Sequence, residues 1–159
     1  MDNLTLSMIN NLINIKKMKK SILILIACIA FGTFTSNAQS IFGKWKTIDD
    51  ETGKEKSIVE IYKVDGKAYA KIVQLLEKGK EDKLCDLCKG ENKNKPIKGM
   101  VIINGLSEDG DEWNDAKILD PKTGKEYKCY ITLDGDNKLK VRGYIGFALL
   151  GRTQYWHKI

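Results

Sequence analysis

The chain has 159 residues, 27 lysines and arginines against 21 acids, and a net charge of +6 at pH 7. Only Arg142 and Arg152 are arginines, and the lysines alternate with acids, so a nucleic-acid-binding face is not expected. The length suits one domain with a core large enough to need no staples.

Lys16, Lys17, Lys19 and Lys20 precede "SILILIACIAFGTF", which is followed by "TSNAQS". A basic segment, an apolar run and a small-residue site ending at Ala38 predict a secretory signal over residues 1–38, with Met18 as the better initiator. The apolar run, Ser21 to Phe34, is 14 residues, against the ~20 of a membrane-spanning helix. "LIAC" offers a competing reading, a lipid anchor at Cys28. Cleavage after Ala38 leaves 121 residues and removes four lysines and one Asp, which lowers the net charge from +6 to +3. The expected location is the periplasm or the extracellular space, and no transmembrane segment is expected in the mature chain.

The remainder, residues 39–159, reads as a single domain of short strands and tight turns. "FGKWKTI" is a first strand and "DDETGKEK" turns it around. "SIVEIYKV" is a second strand, closed by the hairpin dipeptide Asp65-Gly66. "KAYAKIVQLL" alternates as a third. Residues 77–98 then lose periodicity, are lysine-rich and carry "CDLC"; such a long connection is either functional or loose. "GMVIING" resumes a strand, followed by "EWNDAKIL", "KEYKCYITL" and "LKVRGYIG", with turns "DPKTG" and "DGDNK" between the last three.

In the C-terminal third, one register pairs Ile118 with Tyr127, Ala116 with Cys129, Leu133 with Leu139, Ile131 with Val141 and Cys129 with Gly143. It sends Tyr127, Cys129, Ile131, Leu133, Leu139, Val141 and Ile145 to one face, and Lys128, Thr132, Lys140 and Arg142 to the other. A slip of one residue would undo that sorting. About eight evenly spaced strands with no amphipathic helix predict an all-β fold, a small antiparallel up-and-down barrel whose closure removes exposed edges. "FALL" (147–150) is read as a hydrophobic corner, and "GRTQYWHK" as the strand that closes the barrel.

Gly43-Lys44-Trp45 at the first strand, with Arg152 in the last, resembles the calycin superfamily, which includes the lipocalins. That resemblance implies that Trp45 fills the closed end of the barrel and that the Arg152 guanidinium lies on the indole as a cation–π contact. A longer series of motifs is similar to an uncharacterised bacterial family, the domain of unknown function two-one-four-seven. These are "GKWKT", "DGKAYAKIVQL", "KPIKGMVIINGL", "AKILDPKTGKEYKCYITL" and "KLKVRGYIGFALLGRTQYW". Ala70 and Asn114-Asp115-Ala116 depart from the family pattern at positions that usually carry glycine. The family label implies no activity.

Cys85 and Cys88 form a C-x-x-C in a chain expected outside the cytoplasm, where a disulfide is the expected state. Metal binding and redox activity are the alternatives. Metal would need two further ligands, and Cys129, expected in the core, and His157 are the only soft candidates. No catalytic constellation can be assembled around His157, and no enzyme, cofactor or metal is expected. The acidic turns, "DGDNK" among them, are read as turn chemistry because EF-hand spacing is absent. The first functional reading is a monomeric binding protein for a small apolar or amphipathic ligand, with Tyr127, Ile131 and Val141 lining the interior. The second is an envelope structural or interaction protein with a filled barrel, which the mid-sized to large inward residues slightly favour.

Overall fold

The computed structural model describes residues 39–159; the expected signal segment, including Met18, Cys28 and the site at Ala38, lies outside the described residues. Eight antiparallel strands follow one another around a closed barrel. They are β1 (Gly43–Ile48), β2 (Glu55–Val64), β3 (Lys67–Leu75), β4 (Val101–Asp109), β5 (Glu112–Asp120), β6 (Lys125–Leu133), β7 (Lys138–Tyr144) and β8 (Gly151–Lys158). The only helical turn among the described residues is a 3₁₀ segment, Gly90–Asn92.

The register of β5, β6 and β7 is the one the residue pattern dictates. Ile118 faces Tyr127, Ala116 faces Cys129, Ile131 faces Val141 and Leu133 faces Leu139. Cys129, Ile131, Leu139 and Val141 are buried, while Tyr127 and Leu133 are half-buried. Ile145 departs from the expectation. β7 ends at Tyr144, and Ile145 turns outward. Asp65 and Gly66 both take positive φ (48° and 80°), the mirror-image turn that matches strand twist. At Asn114-Asp115-Ala116 the β5–β6 register shifts, and Asp115 takes φ 63°. A bulge there re-aims the strand without ending it.

The interior divides into two halves. Toward the β2–β3, β4–β5 and β6–β7 turns, Trp45, Leu106, Ile131 and Leu139 are fully buried, beside the small Ala68 and Ala70. Small and large side chains alternate so that the taper is filled. Trp45 Nε1 donates to the Ile41 carbonyl at 2.8 Å, which satisfies its polar atom. Phe42 closes the same end edge-on to Trp113, with ring centres 5.3 Å apart. The opposite half is not filled.

Strand pairings that run four to eight residue pairs elsewhere shrink to two at the seam. β1 and β8 pair only at Trp45–Lys158 and Lys46–His157, at the closed end. Toward the open end Asp50, in the β1–β2 turn, bridges the seam instead. It accepts from Arg152 Nε at 2.6 Å and from Gln154 Nε2 at 3.0 Å.

The 77–98 connection is not loose. Leu84 bridges Pro96, the Cys85 N–H donates to the Lys95 carbonyl, and the Ile97 N–H donates to the Lys83 carbonyl. The segment is a folded flap whose inner side buries Cys85, Cys88 and Ile97. Its backbone hydrogen bonds are met internally, as a connection packed on a core requires.

Candidate functional site

The unfilled half of the barrel is a cavity of about 520 Å³. It opens between the β1–β2, β3–β4, β5–β6 and β7–β8 connections, since residues of all four line it. Its apolar wall includes Val59, Ile72, Ile102, Ile118, Tyr127 and Val141. Trp156, 1% exposed, lines it from β8 opposite Leu139. The alternation of β-strands explains the lining: Ile118, Tyr127, Val141 and Trp156 occupy inward positions, and Lys117, Lys128 and Lys140, each one residue out of phase, fall on the outward face.

One polar pair lies within this wall. Thr47 Oγ1 and Ser57 Oγ are 2.7 Å apart, and Thr47 also reaches the Ser57 carbonyl at 3.3 Å. Both residues are buried and line the cavity. Their hydrogen bonds offset the cost of placing hydroxyls among aliphatic neighbours.

The rim is charged. Lys122 Nζ donates to Glu51 Oε2 at 2.9 Å, and that bond raises the Lys122 pKa above its ordinary value. Asp49 accepts from the Thr52 hydroxyl and backbone N–H, which lowers its pKa below the usual carboxylate value. Lys56, Lys80 and Lys83 also line the cavity and have no ion-pair partner among the described residues.

All three residues expected to line the interior face inward, but only Tyr127 and Val141 border the cavity. Ile131 does not border it. It is fully buried in the packed half, two positions beyond Cys129 toward the closed end. The expectation of a filled barrel holds for that half alone.

The Trp45–Arg152 contact is also corrected. Trp45 pairs with Lys158, whereas Arg152 pairs with Gly143. Six residues of β8 separate the two positions, roughly 20 Å at about 3.3 Å per residue. The cation over the Trp45 ring is Lys158, with Nζ 5.6 Å from the centroid. Arg152 stands at the mouth, so the β7–β8 corner belongs to the open end and not the sealed one.

Cys85 and Cys88 are joined as a disulfide. The pair packs under the flap against the β5–β6 turn, with Cys85 Sγ 3.4 Å from the Pro121 carbonyl oxygen. Cys129 is a free, buried thiol, and desolvation pushes its pKa up to about 12. His157 is exposed on β8, opposite Lys46 and Lys138. Among the described residues, no group of three or more His, Cys, Asp or Glu side chains gathers as a metal site.

Sequence reasoning missed Trp156, Ile72, Ile102 and the Thr47–Ser57 pair as lining residues. The inward phase of β1, β2, β3, β4 and β8 could have named them. Which end of the barrel is open, however, depends on how the flap folds.

A search of curated proteins returns no match to the sequence. Among solved structures, the chain is similar to "Protein HP1028 from the human pathogen Helicobacter pylori belongs to the lipocalin family". The two share 21% identity over 76% of this chain and 83% of that one, with a TM-score of 0.67. At that identity the likeness is one of fold, a lipocalin-like barrel. The model of the family described as "Uncharacterized protein conserved in bacteria (DUF2147)" matches residues 43–158, and the chain belongs to that family.

Proposed function

We propose that the protein is an exported, monomeric, non-catalytic carrier that takes one small apolar or amphipathic molecule into the open half of its barrel. The observation that carries this reading is the cavity itself, about 520 Å³ with a largely aliphatic wall and a charged rim. That volume lies within the usual range of small-molecule sites, which are mostly apolar with a few placed polar groups. Lys56, Lys80 and Lys83 favour a ligand with an anionic group at its outer end, because an acid held there gains cations that lack a partner among the described residues. A barrel that served only as a packed scaffold would have no use for an unfilled half.

The test is a fluorescence titration with two naphthalene probes, one neutral and one carrying a sulfonate. Both are expected to bind with a stoichiometry of one, the sulfonate more tightly. Ile118→Phe with Val141→Phe adds bulk to the cavity wall and should weaken both by at least tenfold while the urea midpoint is kept. Probe signal that is absent, or that survives this filling, would sink the carrier reading.

A further inference from the structure

The β7–β8 connection, residues 145–150, has no part in the core, yet it is the most apolar surface segment among the described residues. Leu149 is 91% exposed, Phe147 78%, Leu150 72% and Ile145 65%. Leu84 and Leu87, on the flap, are also exposed. Six of the ten exposed large hydrophobics therefore sit on the connections of one end of the barrel, the open one. Scattered single apolar residues need no explanation, but a cluster with one orientation marks a contact.

The loop is also braced in that pose. Arg142 Nε donates to the Ala148 carbonyl at 2.8 Å, Nη2 to the Leu149 carbonyl at 3.3 Å, and Nη1 to Thr153 Oγ1 at 2.7 Å. The guanidinium, on the outer face of β7, thus holds the loop backbone while the apolar side chains project.

Charge divides along the same axis. The closed-end turns, 65–66, 110–111 and 134–137, carry four aspartates and no lysine or arginine. The open-end connections, 49–54, 76–100, 121–124 and 145–150, carry nine lysines against eight acids. The barrel is therefore a dipole whose open end points toward negative charge. The apolar tips thus stand at the end that nets +1 (9 − 8), against −4 at the closed end, an orientation that suits the headgroup boundary of an anionic bilayer, where apolar side chains enter the acyl edge and cations meet phosphates.

We infer that the open end docks reversibly on an anionic phospholipid surface, with Phe147, Leu149 and Leu150 inserted. This inference stands apart from the carrier reading, since docking needs no ligand in the cavity; together they place the mouth against a lipid source.

Trp45, Trp113 and Trp156 are all buried, so a tryptophan introduced by Phe147→Trp in the full chain reports on the loop against a constant background. With vesicles containing phosphatidylglycerol, its emission is expected to shift to the blue and to be quenched by lipids brominated on the acyl chain. Phosphatidylcholine vesicles should bind at least tenfold more weakly. In co-sedimentation, Phe147→Ser with Leu149→Ser should lower partition at least tenfold with no change in urea midpoint. Unshifted emission on anionic vesicles would overturn the inference, as would equal partition of the serine variant. A blue shift that grows with protein concentration in the absence of lipid would overturn it too, by assigning the loop to a second copy of the chain.

Discussion

Arg152 bonds to Asp50 across the β1–β8 seam, at the far end of the barrel from Trp45. The two strands pair through only two residues each, both near the closed end, so this contact and the Gln154–Asp50 bond hold the open end of the seam. Arginine suits the task because its fork can address one carboxylate from two nitrogens. The plug function at the other end belongs to Trp45, Ile41 and Phe42, with Lys158 over the indole.

That division of labour predicts unequal costs. Trp45→Ala should lose about 3–5 kcal/mol, the cost of a large cavity in a packed core. Arg152→Ala should lose less than about 1 kcal/mol, because both partners are solvent-exposed and an exposed ion pair contributes little. Urea denaturation of both variants decides the matter. A loss of several kcal/mol for Arg152→Ala would mean that the arginine has a core role.

Gly124 is where the flap meets the barrel. It takes φ +68°, and a Cβ there would stand 1.9 Å from the Leu87 carbonyl oxygen. Gly135 takes a similar φ of +73° but faces open space. Alanine at 135 should therefore show only backbone strain, about 1 kcal/mol. Alanine at 124 should cost more and also lift the flap, seen as faster proteolysis between residues 77 and 98. Equal effects of the two substitutions would show that the flap does not seat on this turn.

Cys129 gives the pH dependence a sign. Its folded pKa is raised from 9.0 to about 12 by burial, so the folded state keeps a proton that the unfolded state releases. Its contribution is full below pH 9.0 and is lost progressively as pH rises toward 12. The slope is at most about 1.4 kcal/mol per pH unit for one proton. Urea midpoints between pH 8 and 11 should fall more steeply for the parent than for Cys129→Ala. Parallel curves would mean that the thiol is not desolvated in the native state.

Much of the fold was legible because period-two alternation and turn chemistry are local. The β5–β6–β7 register follows from which of Tyr127, Cys129, Ile131 and Val141 must face inward, and Asp65-Gly66 marks its own hairpin. What was not legible depends on tertiary closure. The pattern gives the phase of Ile131 and Val141 equally well, but not that one lies in a packed half and the other beside a cavity. Arg152 carries no local mark of whether its partner will be an indole or a carboxylate. The aperiodic 77–98 stretch gave no sign of its order because that order comes from the Leu84–Pro96 bridge, the irregular backbone hydrogen bonds around it and contact with a turn 36 residues later, none of which has a periodic signature.

The central claim is that the open half of the barrel holds one small molecule. Native mass spectrometry of the protein purified gently from its own host tests it most directly. The expected result is a single co-purifying adduct of small mass that leaves on gentle activation and is missing from the Ile118→Phe, Val141→Phe variant. A bare chain in both proteins, with no uptake of either naphthalene probe, would contradict it and leave the barrel a fold without a cargo.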